Sequence, residues 1–565
     1  MTWATRFLFF VLGAPLLLGS ALALAPAFTQ TSLVVNSTGQ MGQLLPPAFL
    51  TLLSTPGIVT SAITSLVSGL LTPAISLAIV FLFLAATQGN SIGNAIAKLS
   101  APVLAIPHAA AAFALALLLA PSGVASRVIA SLLGWDLPPD YLFINDPNGL
   151  ALILGLVLKE APFLLLISLA ALPSLGAPRR VALARTLGYK PTTAWLLTVA
   201  PVLYPLVRLP LFAVIVFASS AVDVALILGP SLPPTLSVRL LEWFVAPEIE
   251  SRQLASAAAL LQLVVSLSAL GIWLLFERVV ARAFAPLAAR GASRLSARRV
   301  TYDTALTALG NALLPLSLAF ILIGIGALML TSVGTEWRYP ALVPSVWSTQ
   351  QWTSALSEWR APLFNATMIA LLSVTAALAL SLFMLEAQAR SSVSTARIAT
   401  FLYLPLLVPQ VVFISGIAIL AERALLPPSL TLVAAGHFLF VLPYVYLTLQ
   451  GGYARFDTRW LMLARTLGAS NTVCFWRIRL PLLSTQLVTA VMLGLAISLS
   501  LYLPTQILGA GRIPTLTTEA IALVSSGNRS TIGTWALLQS ALPTLCFMLA
   551  LVLPRLIWSR RKGML

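Results

Sequence analysis

Long apolar runs separated by short polar interruptions occupy almost all of this 565-residue chain. A helix needs about 20 apolar residues to cross a bilayer. Twelve runs reach that length, at roughly 5–27, 57–86, 101–120, 149–172, 200–228, 253–276, 306–332, 363–385, 399–421, 430–450, 481–508 and 534–557. The pattern predicts an all-α polytopic membrane protein with about twelve transmembrane helices, six in each half.

Two of the polar interruptions carry the same text: residues 181–188 read VALARTLG and residues 461–468 read LMLARTLG. At a constant offset of 280, positions 181–236 match 461–516 with 16 identities in 56 and no gap. Beyond the hexad, the identities include Pro201 with Pro481, Ile227-Leu228-Gly229 with Ile507-Leu508-Gly509, and Pro234-Thr235-Leu236 with Pro514-Thr515-Leu516. Composition bias does not produce such a run, so the chain is a duplication of two six-helix pseudo-repeats. The expected division is a first half at 1–276 with a core module at about 57–276, an Arg-rich linker at 277–305, and a second half at 306–565 with a core module at about 363–557. Each module is preceded by an extra helix.

Composition agrees with a bilayer location. Charged residues make up 9% of the chain and mean hydropathy is +0.97, whereas soluble domains carry about 25% charge. The net charge of +17 raises the question of a nucleic-acid partner, and the distribution of that charge answers it. Alternate loops, together with both termini, hold 23 of the 33 Lys and Arg, among them Arg6, Lys98, Arg179 to Lys190, Arg278 to Arg299, Arg455 to Arg479 and Arg555 to Lys562. The opposite loops carry Asp136, Asp140, Asp146, Glu248, Glu250, Glu336 and Glu358. The positive-inside rule accounts for this asymmetry with both termini and both LARTLG loops in the cytoplasm. Membrane lipid is then the polyanion the basic loops meet, and no nucleic acid is needed. Arg6 and the following apolar run also fit a secretory signal; the counterpart at 306–332 is internal and has to span, so the first run is expected to remain as an uncleaved helix. The two cysteines, Cys474 and Cys546, form no disulfide framework.

The second loop continues LARTLGASNTVCFWRIRLPLL, with Ile478 ten residues after Gly468 and then Leu480-Pro481. This resembles the cytoplasmic loop of permeases from type I, binding-protein-dependent ABC importers: Glu-Ala-Ala, three residues, Gly, nine residues, Ile, one residue, Leu-Pro. Ala464, Gly468, Ile478, Leu480 and Pro481 fall in register. The first copy keeps Ala184, Gly188 and Pro201 but has Thr198 and Ala200 at the Ile and Leu positions. Both copies lack the Glu, replaced by Ala182 and Met462, and have Leu183 and Leu463 at the first Ala. Read physically, each loop is a short helix of good helix formers closed by a Gly that can turn left-handed, followed by a segment entering the membrane at Pro201 or Pro481. Leu183, Leu187, Leu463 and Leu467 would face an apolar cleft, with Arg185 and Arg465 at its rim.

The resemblance implies the type I ABC importer transmembrane fold with both halves fused, as in iron(III) and thiamine permeases. It also implies that the cleft belongs to an ABC ATPase subunit, and that a periplasmic substrate-binding protein docks outside. The chain has no Gly-x-x-x-x-Gly-Lys-Ser/Thr loop, and Lys98, Lys159, Lys190 and Lys562 stand in no such context. It is therefore expected to bind no cofactor and to be no enzyme, with ATP used by the partner. Two similar loops suit a homodimeric ATPase, in the bacterial inner membrane.

Lys159-Glu160 lies near the middle of the fourth run, where an isolated charge costs several kcal/mol. Matching Pro162 with Pro443 puts His437 one turn before Lys159 in the corresponding helix. All three are expected at the interface between halves, either lining the translocation pathway or fixing the packing. Arg208 is expected to reach lipid head groups, and Asp223 to stand at the outer mouth. No His, Cys and carboxylate grouping marks a metal site. A secondary transporter with parallel repeats shares the repeats and the intramembrane charges and is the main alternative; a lipid-modifying enzyme would need a catalytic constellation that the scattered acids and two histidines do not supply. The fused-permease resemblance points first to a thiamine-like organic cation and then to iron(III) as cargo.

Overall fold

A computed structural model describes residues 9–28, 46–141, 143–289, 296–390 and 402–557. It is an all-α membrane protein in which backbone groups are satisfied within helices, as hydrocarbon requires. Among the described residues ten helices are long and apolar enough to cross a membrane, and a bent pair, Asn471–Leu482 and Ser484–Ser500, turning by 73°, gives an eleventh span.

The expected span 399–421 is not one helix. Residues 402–407 are helical, the chain breaks at Val408-Pro409, and Gln410–Arg423 resumes; residues 399–401 lie outside the described set. The expected span 101–120 straddles a matching break, where Ser91–Ala105 ends, Ile106-Pro107 is extended and His108–Leu119 begins. Proline lacks an N–H and drives the preceding residue out of the helical region, so each Pro interrupts its span at the same place. The fifth span of each half is also interrupted, at Ala221-Val222 and at Leu501-Tyr502. Ala200–Ser220 is followed by Asp223–Leu228, and Ser484–Ser500 by Leu503–Gly509.

Each half packs its second, fourth and fifth spans as a triad. In the first half these are Ile58–Thr87, Leu150–Ala171 and Ala200–Ser220; in the second, Arg360–Arg390, Leu430–Arg455 and Ser484–Ser500. The sequence repeat extends into the packing. Gly155 lies so close to Leu228 that any side chain there would overlap it, and Gly436 lies equally close to Leu508.

The extra helices cross over. Phe10–Phe28 lies against Gln410–Arg423 of the second half, and Tyr302–Val333 lies against Ile58–Thr87 and His108–Leu119 of the first. The first crossing is tight because Gly19 meets Gly416, where a Cβ would run into the Gly19 backbone; small residues are what allow helices to approach this closely in a bilayer. The second is reinforced at its ends. Asp303 Oδ1 accepts from the Thr193 backbone N–H (2.7 Å) and hydroxyl (2.8 Å), capping the first turn of Pro191–Thr198. At the opposite face the Arg127 guanidinium donates to the carbonyls of Trp337 (3.0 Å), Arg338 (2.8 Å) and Ala341 (2.7 Å) and stacks on the Trp337 ring.

Candidate functional site

The two LARTLG segments form turns with the same backbone hydrogen-bond pattern. The first is a helix, Ala177–Thr186, in which Leu187 N–H donates to Ala184 O (3.1 Å), Gly188 N–H to Arg185 O (3.0 Å) and Tyr189 N–H back to Ala184 O (3.3 Å). The second is Arg459–Thr466, with Leu467 to Ala464 (3.2 Å), Gly468 to Arg465 (3.0 Å) and Ala469 to Ala464 (3.0 Å). Gly188 sits at φ +87° and Gly468 at φ +85°, the left-handed closure that glycine adopts without strain. Leu183, Leu187, Leu463 and Leu467 are 67%, 66%, 55% and 80% exposed. Four large apolar side chains are thus left uncovered at the two helix ends. Arg185 and Arg465 are exposed beside them, and Arg465 donates to the Asn471 side-chain Oδ1 at 3.0 Å.

The turns are seated differently. In the first, Ala184 is buried together with Val181, Trp195 and Val199, and Trp195 packs edge-on to Phe81 at 6.0 Å. In the second, Ala464 and Ile478 are half-buried, and the position matching Val199 is Arg479. Its guanidinium is buried against the Glu386 carboxylate and lies 5.4 Å from the Tyr453 ring and 5.3 Å from the Phe456 ring. Pro201 and Pro481 stand in the first turns of the segments that lead back into the membrane, and both are exposed. Read from the sequence, Arg479 counted only among the basic loop residues and Glu386 was passed over; the signal was an arginine next to Leu480-Pro481, where the chain turns apolar.

Within the membrane, Lys159, Glu160 and His437 are all buried but are not brought together. Lys159 Nζ donates to the carbonyls of Val103 (3.0 Å), Leu104 (3.1 Å) and Ile106 (2.5 Å) at the break before Pro107, where the Val103 carbonyl also accepts from the Ile106 N–H (3.3 Å). The ammonium thus caps the C-terminal end of Ser91–Ala105, where the helix dipole favours a cation. Glu160 Oε1 pairs instead with His108 Nε2 at 3.2 Å, on the other side of the same break. His437 bridges two helices of its own half, with Nδ1 2.9 Å from Ser498 Oγ and Nε2 2.9 Å from Thr505 Oγ1. At the position matching Lys159 the second half has Phe440, whose ring centroid lies 5.5 Å from that of Phe413. Arg208 is held by Glu277 (2.6 Å), which also accepts from Tyr204. Among the described residues no group of three or more His, Cys, Asp or Glu is placed to hold a metal ion.

No family model matches the chain. It is 30% identical over 464 residues to the inner membrane ABC transporter permease protein YnjC of Escherichia coli K12, covering 82% of this chain and 81% of that one. It is 27% identical over 259 residues to PhnV of Salmonella typhimurium, provisionally assigned as a 2-aminoethylphosphonate transport system permease; that match covers 44% of this chain and 92% of PhnV. A relative matched along nearly its whole length by less than half of this chain is what a fused pair of modules gives. With two like halves, two like turns and a relative spanning four-fifths of its length, the chain belongs to the ABC transporter permeases, as a multi-pass inner-membrane protein with two fused modules.

Proposed function

We propose that this permease is the translocating subunit of an ATP-driven importer, passing a small organic cation delivered by a periplasmic binding protein. The observation that carries the reading is the pair of matched turns, each presenting two exposed leucines on a helix closed at Gly188 or Gly468. Two equivalent knobs suit two equivalent clefts, hence a homodimeric ATPase subunit that hydrolyses ATP while this chain binds none. The basic residues around both turns support a cytoplasmic position for the turns and for both termini. ATPase closure would draw the knobs together, and the motion would reach the membrane through the segments led by Pro201 and Pro481. Membership among ABC permeases leaves the secondary-transporter reading without support.

The dispersed acids favour an organic cation over iron(III), since a hard trivalent metal calls for several oxygen ligands converging on one point. Gly468→Val tests the coupling. Space around Gly468 is open, so the substitution acts through backbone strain of about 1–2 kcal/mol at a left-handed position. The protein should still insert and retain its ATPase, whereas binding-protein-stimulated uptake should fall about tenfold. Undiminished uptake would refute the proposed role of the turn.

A further inference from the structure

We infer that the two halves part on one side only at their outer end, with Arg252 and Glu422 as the latch and the contacts of Arg529 and Ser530 as the pivot. This rests on the importer reading, in which the solute enters from that end. The chain itself fixes which end is meant. Asp303, at the start of Tyr302–Val333, bonds to Thr193 just beyond the first turn, so Ser332 marks the opposite end of that span. Ser530 Oγ donates to the Ser332 carbonyl at 3.2 Å, which puts the start of Arg529–Ile557 at the same level. Ile249–Ala289 leads on toward Tyr302–Val333, so its start, near Arg252, is an outer end as well.

A second repeat relates the two places. Arg252 and Arg529 each stand ten residues before the glutamine of an identical tetrad, Ala259-Leu260-Leu261-Gln262 and Ala536-Leu537-Leu538-Gln539. Both glutamines are buried, so the two sixth spans are seated in the same register. Each arginine reaches across to the end of the third span of the other half. Arg252 Nη1 and Nη2 donate to the two carboxylate oxygens of Glu422, at 2.7 and 3.2 Å. Arg529 Nη1 and Nη2 donate to the carbonyl (3.2 Å) and hydroxyl (2.6 Å) of Ser122.

The two crossings differ in how firmly they hold. Beside Arg529, the hydroxyls of Ser530 (3.2 Å) and Thr534 (3.5 Å) both donate to the Ser332 carbonyl, on the extra helix that lies against the first half. Between them a Cβ at Gly533 would press on backbone atoms of Leu328 and Ser332. Helices that meet at a glycine in a bilayer gain close packing that is lost when they part. The Arg252–Glu422 pair has only exposed charge to hold it, with side chains 47% and 49% exposed. Water screens such a pair, so it adds little to the fold and breaks at small cost. A hinge motion therefore turns about the Arg529 side and opens the Arg252 side.

The test uses the full chain, carrying Cys474→Ala and Cys546→Ala, in liposomes with its copurified ATPase subunit and binding protein. Arg252→Cys with Glu422→Cys, and separately Ser122→Cys with Arg529→Cys, are joined by a short reducible bis-thiol reagent. The readout is ATP hydrolysis stimulated by the binding protein, which carries the solute with which it purifies. Joining 252 to 422 should cut stimulated hydrolysis about tenfold or more, because a gate that cannot open limits turnover. Reduction should restore it, which excludes a misfolded variant. Joining 122 to 529 should leave hydrolysis close to the parent rate. Without any reagent, Arg252→Ala should raise hydrolysis in the absence of binding protein about two- to fivefold, the population shift that an exposed ion pair can hold, and Arg252→Glu with Glu422→Arg should return it to the parent level. Hydrolysis that persists with 252 and 422 joined, or is lost equally with 122 and 529 joined, would overturn the one-sided latch while leaving the importer reading intact. Absence of any bound ATPase subunit would count against the importer reading itself, and the latch with it.

Discussion

At the scale of single residues, the adjacent buried charges Lys159 and Glu160 take separate partners on either side of one helix break. Lys159 closes off three carbonyls at a helix break, so Lys159→Met should strand those of Leu104 and Ile106 at membrane depth. The expected loss is about 3 kcal/mol of stability, seen as a lower unfolding midpoint in detergent; an unchanged midpoint would show that the carbonyls find other partners. The Lys-Glu dipeptide was conspicuous in the sequence because charge is rare in an apolar run. Its partners were not legible, because they lie more than fifty residues earlier at the junction Ile106-Pro107-His108. His437 looked equivalent by helix position alone, but hydroxyls at Ser498 and Thr505 satisfy both of its ring nitrogens within its own half.

At the scale of elements, the two turns share a backbone and differ in their anchors. The shared part is local: a hexad of helix formers and a glycine determine a helix, its stop and its exposed leucines, and all of these were readable. The anchors are long-range and were not. Burial of Val199 and Trp195 seats the first turn, whereas the Arg479–Glu386 pair seats the second. Breaking a buried ion pair leaves an uncompensated charge, so Arg479→Leu alone should cost about 3 kcal/mol, and the double variant with Glu386→Leu should recover most of it. Thermal unfolding of the two single variants and the double variant checks this, and additive losses would contradict it. The same distinction explains the spans. Apolar run length located the membrane segments, but it does not register that Pro107 and Pro409 stop a helix midway, so two expected continuous spans are broken ones.

At the scale of the whole molecule, duplication has made two like halves interlocked by their extra helices. Each extra helix lies on the opposite half, and Asp303 ties the start of Tyr302–Val333 directly to the segment following the first turn. The lock at Gly19 and Gly416 leaves no room for a side chain. Gly416→Val should therefore displace the first helix, and a cysteine cross-link between that helix and Gln410–Arg423 should form in the parent background and fail in the variant. The repeat was legible because the loop text is identical, but the crossing was not, since hydropathy says nothing of which neighbour an apolar helix chooses. What the interlocked body is for depends on what its two turns hold. The most direct measurement is purification of the tagged chain from gently solubilised membranes, with stoichiometry and ATP hydrolysis of the bound protein, in wild type and in a variant with Leu187 and Leu467 both changed to Asp. The account predicts two ATPase subunits per chain, released by the paired substitution. A chain that purifies with no nucleotide-hydrolysing partner, or whose partner ignores both leucines, would contradict it.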